Sequence, residues 1–191
     1  MNLLEILNID YPVSEETAGA LASVAAHVAV RKKEFLVRQG AVNHFIYFIT
    51  EGLMRGTSEF GGREDTLFFA VPGDPFLSVH TMAHSEPSVL SLQALEDSSV
   101  LAVSLSDFNI MLDTYADLRK WWSSVLLEQI YALERRYVWL STSNATERYR
   151  VFMRVRRNIA ARIPIKYIAQ YLNIAPETLS RIRGRRDLFS G

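Results

Sequence analysis

Apolar and polar positions follow two different rhythms along this chain, one typical of strands and one typical of helices. From Val28 to about residue 104, short runs rich in Val, Ile, Phe and Leu are bounded by glycine or proline, as in an antiparallel barrel or jelly roll. The pair Gly61-Gly62 between two such runs predicts a tight hairpin. One or two helices are predicted over residues 1–27, and helical spacing returns at Ser106.

A long helix is predicted from about Tyr115 to Leu140, a stretch without glycine or proline. Such a helix would extend about 36 Å, and a broad apolar stripe runs along it. The stripe can serve the barrel on one side and a second copy of the chain on the other, although packing within its own chain would give the same pattern. The residues predicted to contact a second copy are Leu118, Trp122, Val125, Gln129, Leu133 and Arg136.

Two short helices that meet at a tight turn are predicted between Ile163 and Arg186. Asn173 stands where the chain turns, and asparagine is the residue after glycine that best tolerates a left-handed backbone. Pro176 suits the first turn of the second helix because its missing N–H needs no partner there. The pattern favours a helix-turn-helix, whose second helix enters the major groove of DNA, over an ordinary helical hairpin. The apolar positions that support it are Ile168, Ala169, Leu172, Ile174, Leu179 and Ile182.

Charge is segregated along the chain although its formal net charge is zero. Residues 1–140 contain ten Lys and Arg against eighteen Asp and Glu, a net charge of −8. Residues 141–191 contain eleven against three, a net charge of +8. This asymmetry indicates a basic module that binds a polyanion, carried by an acidic module that does not bind it. Because the basic module also contains the predicted helix-turn-helix, double-stranded DNA is the expected partner.

Side chains on the second short helix are the main candidates for contact with DNA. Glu177 and Arg181 are four residues apart and share a helix face, where arginine can bind guanine and glutamate can accept from cytosine. The other candidates are better placed for phosphates, which fix register and give salt-sensitive affinity. They are Thr178, Ser180, Arg183, Arg185 and Lys166.

Composition argues against several other classes of protein. With 49% hydrophobic and 22% charged residues the chain is typical of a globular protein, and it has no cysteine for a disulfide or thiolate metal site. No apolar run is long enough to span a bilayer and the acidic N-terminus is unlike a signal peptide, so a cytoplasmic location is expected. The sequence has no nucleophile elbow, P-loop or dinucleotide fingerprint, and no catalytic residue is assigned.

One pair of histidines could be metal ligands and is the basis for an alternative interpretation, an enzyme. His80 and His84 are four residues apart with Glu86 nearby, and cupin enzymes hold metals with such residues in a jelly roll. Isolated histidine pairs are more often surface or packing residues. A cupin-like metalloenzyme is therefore kept as the alternative, and no metal or cofactor is assigned.

The order of these parts resembles that of one family of regulators. The runs F-L-V-R-Q-G (35–40), F-I-Y-F-I-T-E-G (45–52) and V-P-G-D (71–74) have glycines at the family's β-roll turns. The runs T-E-R-Y-R (146–150) and P-E-T-L-S-R-I-R (176–183) match its hinge and its DNA-reading helix. Over nearly its whole length the chain resembles the cyclic-AMP receptor (catabolite activator) and fumarate-nitrate regulator superfamily of bacterial transcription regulators.

The resemblance implies an α+β fold with a cyclic-nucleotide-binding-like β-roll, a long dimerisation helix and a C-terminal helix-turn-helix domain. The predicted domains are residues 1–114, residues 115–143 and residues 144–191, with a hinge at the polar break Ser141–Asn144. The resemblance also implies a homodimer that reads palindromic DNA, responds to a small effector in the roll and contacts RNA polymerase.

The stretch that would bind a cyclic nucleotide departs from the family pattern. Family members that bind these ligands place a glutamate after the Gly-Asp turn and later an Arg-Ser or Arg-Thr pair for the phosphate. Here no arginine or lysine occurs between Arg63 and Arg119, and a buried phosphate without a cation would be costly, so cyclic AMP is not expected to bind in the usual manner. Ser78, Ser88, Ser91 and Gln93 are predicted to line a pocket for an uncharged ligand. The alternative is a roll filled by the aromatic residues Tyr47, Phe48, Phe68, Phe69 and Phe76.

Overall fold

The computed structural model describes residues 1–8 and 11–184. By packing, the chain divides into two compact units, one of residues 1–64 and 68–128 and the other of residues 65–67 with the chain from residue 129 onward. Within the described residues, none of the helices is both long enough and apolar enough to cross a membrane.

The first unit is built around a β-roll of two four-stranded sheets. In chain order the strands are β1 (Ala26–Val30), β2 (Phe35–Val37), β3 (Phe45–Glu51), β4 (Met54–Phe60), β5 (Arg63–Ala70), β6 (Pro75–Phe76), β7 (Ser91–Ala94) and β8 (Ser98–Ser104). One sheet has the order β1-β8-β3-β6 and the other the order β2-β7-β4-β5. The pairs β1–β8, β3–β8 and β4–β7 are antiparallel, which confirms the predicted β-roll.

Glycine closes the hairpin between β4 and β5 as the sequence predicts. Gly61 and Gly62 have φ angles of 60° and 76°, a left-handed pair that suits a two-residue turn and that other residues rarely adopt. The turn returns the chain so that β5 lies beside β4 in the same sheet, and Met54 and Gly56 of β4, two residues apart, face the apolar interior.

Short helices surround the roll: α1 (Leu3–Leu7), α2 (Glu15–Ser23), α3 (Val79–His84) and α4 (Leu105–Thr114). Each begins at a polar residue whose side chain accepts a hydrogen bond from a first-turn N–H, and these caps are Asn2, Ser14, Ser78 and Ser104. Apolar residues of α1, α2 and α4 share one core with Ile46 and Phe48 of β3.

The predicted long helix is confirmed as α5 (Ala116–Thr142), whose 27 residues span about 40 Å. Its first turn is anchored by Asp117, which accepts hydrogen bonds from the Ser14 N–H and the Thr17 hydroxyl, both at 2.9 Å. Burial raises the pKa of this carboxyl, but these hydrogen bonds and one from the Leu118 N–H outweigh the burial and lower the pKa to about 2.

The second unit contains α6 (Ala145–Val155), α7 (Arg157–Ala160), α8 (Ile165–Tyr171) and α9 (Pro176–Arg183). Between α8 and α9, Asn173 has a φ of 52°, the left-handed conformation that its sequence position predicts. Pro176 is the first residue of α9, and Ala175 before it provides no side-chain cap. Leu179 and Ile182 of α9 are buried, as are the apolar residues Ile168, Ala169 and Leu172.

Candidate functional site

Three aromatic side chains lie in the apolar interior of the roll, among a larger set of aliphatic ones. The Phe68 ring lies directly over Gly56, where an added Cβ would come within 2.1 Å of a ring carbon. Phe68 also packs against Phe76, with ring centroids 6.1 Å apart. Tyr47 is buried in the same cluster, and its hydroxyl donates to the Asn43 side chain at 2.8 Å. Burial raises the pKa of this tyrosine, so the hydroxyl stays protonated and satisfied inside the roll.

The four predicted ligand-binding residues do not lie in one pocket. Ser91 lines a cavity, described below, but Ser78 and Ser88 are buried and bonded within the chain. Ser78 caps α3, and the Ser88 hydroxyl donates to the Leu90 carbonyl at 2.8 Å. The side chain of Gln93 donates to the Lys33 carbonyl at 3.0 Å. The hydroxyls of Ser78 and Ser88 thus hold local structure, and the role of these residues in binding a ligand stays a prediction.

A buried arginine on β4 was not predicted from the sequence. Arg55 is 2% exposed, and its guanidinium donates to the side chains of Gln93 at 2.9 Å and Glu64 at 2.8 Å. Because Met54 and Gly56 face the interior, alternation places Arg55 on the opposite face of its sheet. Arg55 precedes the stretch between Arg63 and Arg119, in which the sequence has no lysine or arginine. The period-two pattern of β4 was the sequence signal from which the position of Arg55 could have been predicted.

A polar cavity of about 430 Å³ lies on that opposite face. Arg38 stacks on the Phe35 ring at its edge, 4.4 Å from the ring centroid, and Glu64 also lines it. The other lining residues are Gln39, Thr57, Glu59, Gly61, Gly62 and Ser91. The cavity mixes one cation with two carboxylates, so it has no single charge to offer an anionic ligand.

The histidine pair forms no metal cluster in the part of the chain that the structure describes. His80 Nδ1 lies 3.4 Å from a Glu86 carboxylate oxygen, an ion pair when the imidazole is protonated. His80 and His84 both lie on α3. Among the described residues, no group of three or more His, Asp or Glu side chains is placed to hold a metal ion. The metalloenzyme alternative therefore gains no support.

The face of α5 that was predicted to meet a second copy packs largely within its own chain. Leu118 is fully buried and Trp122 is 7% exposed, and both belong to the core of the first unit. The Arg136 guanidinium stacks 4.4 Å from the centroid of the Tyr171 ring. Leu118 and Trp122 are thus covered by their own chain, whereas the interface role of Arg136 stays a prediction. Val125 also packs against this core of the first unit.

A different face of α5 is apolar and exposed. Leu126, Ile130, Leu133 and Tyr137 recur at intervals of four, three and four residues, the spacing of a coiled-coil seam. Their exposed fractions run from 41% for Leu126 to 74% for Tyr137. Of the residues predicted from the sequence, Leu133 lies on this seam and Gln129 is exposed beside it. An exposed apolar stripe of this kind marks an interaction surface.

The predicted DNA contacts on α9 are presented to solvent on a helix held by buried apolar residues. Glu177, Ser180, Arg181 and Arg183 are exposed and Thr178 is half-buried, whereas Leu179 and Ile182 are buried. Lys166, at the start of α8, is also exposed. Arg185 lies outside the described residues.

The N-terminus of α6 and the outer side of α9 line a common cavity of about 520 Å³. Arg150 and Arg181 contribute positive charge, and Thr146 and Thr178 contribute hydroxyls. Glu147 also lines the cavity, but its carboxylate accepts from the Asn144 N–H at 3.1 Å in a capping box. Helix N-termini with nearby arginines attract anions. The second unit therefore presents a concave surface suited to phosphate beside α9.

Comparison with known proteins identifies the domain type first. Residues 27–115 match the family described as the cyclic nucleotide-binding domain. No curated protein matches the chain significantly.

Solved structures resemble the chain over most of its length. FixK2 from Bradyrhizobium japonicum is 25% identical, with a TM-score of 0.73, over 84% of this chain and 83% of that one. The Thermus thermophilus catabolite activator protein is 20% identical, with a TM-score of 0.61, over 93% and 84%. A CooA mutant from Carboxydothermus hydrogenoformans is 18% identical, with a TM-score of 0.74, over 96% and 83%. The resemblance to the cyclic-AMP receptor and fumarate-nitrate regulator superfamily is confirmed at the level of the fold.

Proposed function

We propose that this protein is a dimeric, sequence-specific DNA-binding regulator of transcription. In this proposal α8 and α9 form a helix-turn-helix, and α9 enters the major groove of a palindromic site. Residues 1–114 form a sensor-like domain, residues 115–143 the connecting helix, and residues 144–191 the DNA-binding domain. RNA polymerase is the proposed protein partner, by analogy with the family.

The observation that carries the proposal is the combination of charge and exposure on α9. Glu177 and Arg181 are both exposed and stand four residues apart, as a pair that reads adjacent base edges requires. They belong to a segment, residues 141–191, with a net charge of +8, which supplies the affinity for phosphate. Thr178, Ser180, Arg183 and Lys166 are proposed as phosphate contacts, and Arg185 keeps the role predicted from the sequence.

We propose further that the roll does not bind cyclic AMP in the usual manner. The rings of Tyr47, Phe68 and Phe76 already occupy its interior. The buried cation near the roll, Arg55, is on the opposite sheet face and paired with Glu64 at 2.8 Å. A cyclic phosphate placed inside the roll would lack a compensating charge. The proposed effector, if the protein uses one, is an uncharged molecule outside this aromatic cluster.

Pairing of two copies is proposed to use the exposed seam of α5 formed by Leu126, Ile130, Leu133 and Tyr137. A palindromic site needs two reading helices related by a two-fold axis. The spacing of the seam supports a pairing of two helices because it matches the heptad pattern.

Selection of binding sites from random duplex DNA tests the proposed function. We expect enrichment of an inverted repeat whose half-sites lie about 34–36 Å apart or a multiple of that spacing. Cyclic AMP added to the selection should leave the enriched sequence and the affinity unchanged. Failure to bind duplex DNA of any sequence at low salt would contradict the proposal.

A further inference from the structure

Two arginines outside α9 bind the carbonyl groups at the end of α8. The last carbonyls of any helix lack partners inside the helix, and cations stabilise them. Arg136 Nη2 donates to the Tyr171 carbonyl at 3.2 Å. Arg148 Nη1 donates to the Leu172 carbonyl at 2.9 Å and, more weakly, to the Asn173 carbonyl at 3.4 Å. These are the residues that turn the chain from α8 into α9.

Arg148 also reaches the residue that joins α5 to α6. Its Nε donates to the Ser143 carbonyl at 3.0 Å, so a single guanidinium connects the end of the long helix to the turn before α9. The planar guanidinium has donors that point in different fixed directions, whereas lysine has a single nitrogen. Lysine at position 148 would keep the charge but could not make the same set of bonds.

Arg136 holds the same turn from α5. Its guanidinium covers the Tyr171 ring, and that ring packs against Trp139 and Phe152 with centroid separations of 6.0 and 5.6 Å. Burial lowers the pKa of Arg136, while its contact with Tyr171 opposes this change. An arginine committed to such a site inside the chain is poorly placed to reach phosphate.

We infer that Arg148 and Arg136 position α9, and that neither is a phosphate contact. The inference rests on the proposed function, since it concerns how the reading helix is aimed. By charge alone Arg148 is equivalent to the other arginines of the basic segment, and Arg136 on α5 carries the same charge. The hydrogen bonds to the end of α8 separate these two from Arg181 and Arg183. Displacing the turn at Asn173 would move Glu177 and Arg181 away from their base pairs without removing any charge that faces DNA.

The test compares Arg148→Lys and Arg136→Lys with Arg183→Met, using the full chain and the duplex enriched by selection. Binding to that duplex and to an unrelated one is measured over a range of salt concentrations. We expect both lysine variants to bind the enriched duplex about ten- to a hundredfold more weakly, as for lost charge-assisted hydrogen bonds. Their affinity for the unrelated duplex and their salt dependence should match wild type. Arg183→Met should instead lower the slope of log K against log salt by about one. It should also weaken the binding of the protein to both duplexes.

Wild-type binding by Arg148→Lys would overturn the inference. A further variant, Arg148→Met, removes the charge, and equal losses of affinity for both duplexes with a reduced salt slope for this variant would overturn it as well. Thermal unfolding and circular dichroism establish that each variant is folded before binding is measured. The lysine substitutions keep the charge and the helix propensity, so folded protein is expected. Failure of the proposed function is distinguishable from failure of this inference. If the proposed function failed, wild-type protein would bind no duplex and no site would be enriched.

Discussion

The exposed seam of α5 makes a quantitative prediction about self-association. Leu133 is 66% exposed in a single chain. Full burial of a leucine side chain contributes about 1.5–3 kcal/mol, so covering the exposed part contributes about 1–2 kcal/mol in each copy. Leu133→Asp removes this contribution twice in a symmetric pair and introduces two carboxylates into an apolar seam. We therefore expect the dimer dissociation constant to rise at least ~30-fold and up to ~1,000-fold.

Leu127 offers a matched control on the same helix. It is 67% exposed, almost the same as Leu133, but at 3.6 residues per turn it lies about 90° from the mean direction of the seam, at its flank. Leu127→Asp adds the same charge and removes the same apolar surface, so it reports the effect of substitution without loss of the seam. We expect less than a tenfold change in the dimer dissociation constant for this variant.

Sedimentation equilibrium over a range of protein concentrations measures both variants, with circular dichroism as the check on folding. A wild-type protein that stays monomeric at all concentrations would refute the dimer. Equal weakening by the two substitutions would show that the helix face, rather than the existence of the dimer, has been assigned incorrectly.

Three further predictions concern α9, the long helix α5 and the roll. Arg181→Ala should weaken binding to the selected duplex by about 1–3 kcal/mol and relax specificity at one base pair, as measured by repeated site selection. Asp117 has its pKa lowered from 3.8 to about 2, so its stabilisation is present above about pH 4 and is lost as pH falls toward 2. By urea unfolding at several pH values, Asp117→Asn should have a lower free energy of unfolding than wild type. The difference should be below ~1 kcal/mol at this accessible site and should disappear at low pH. Gly56→Ala should lower the free energy of unfolding by about 1–3 kcal/mol through overlap with Phe68, and Phe68→Leu in the same chain should restore part of it. If the losses in the free energy of unfolding from the two substitutions were additive, this contact would be contradicted.

The local features of the fold could be predicted because they depend on neighbouring residues. Gly61, Gly62 and Asn173 all have the left-handed backbone conformation, which glycine and asparagine tolerate better than other residues. The long helix was predicted from the absence of glycine and proline, with bounds one to two residues from those observed for α5. Signals of this kind need no knowledge of distant parts of the chain.

The orientation of α5 could not be predicted in the same way. Apolar residues cover so much of its circumference that the sequence defines no single face, and Trp122 and Ile130 look equally suited to an interface. Only the placement of Phe48 and Phe108 shows which residues the chain itself covers. The pairing of Arg55 with Gln93 and the bonds of Arg148 to distant carbonyls likewise depend on tertiary contacts, which spacing does not encode.

The missing side-chain cap at Ala175 has a thermodynamic consequence. The first amide groups of α9 have no side-chain acceptor before them, so the start of this helix is less stable alone than it would be behind a serine or aspartate. A phosphate oxygen bound there would supply the absent acceptor. Ligand occupancy and local folding would then be linked, and the melting temperature of the protein should climb as duplex DNA, the proposed ligand, is titrated in.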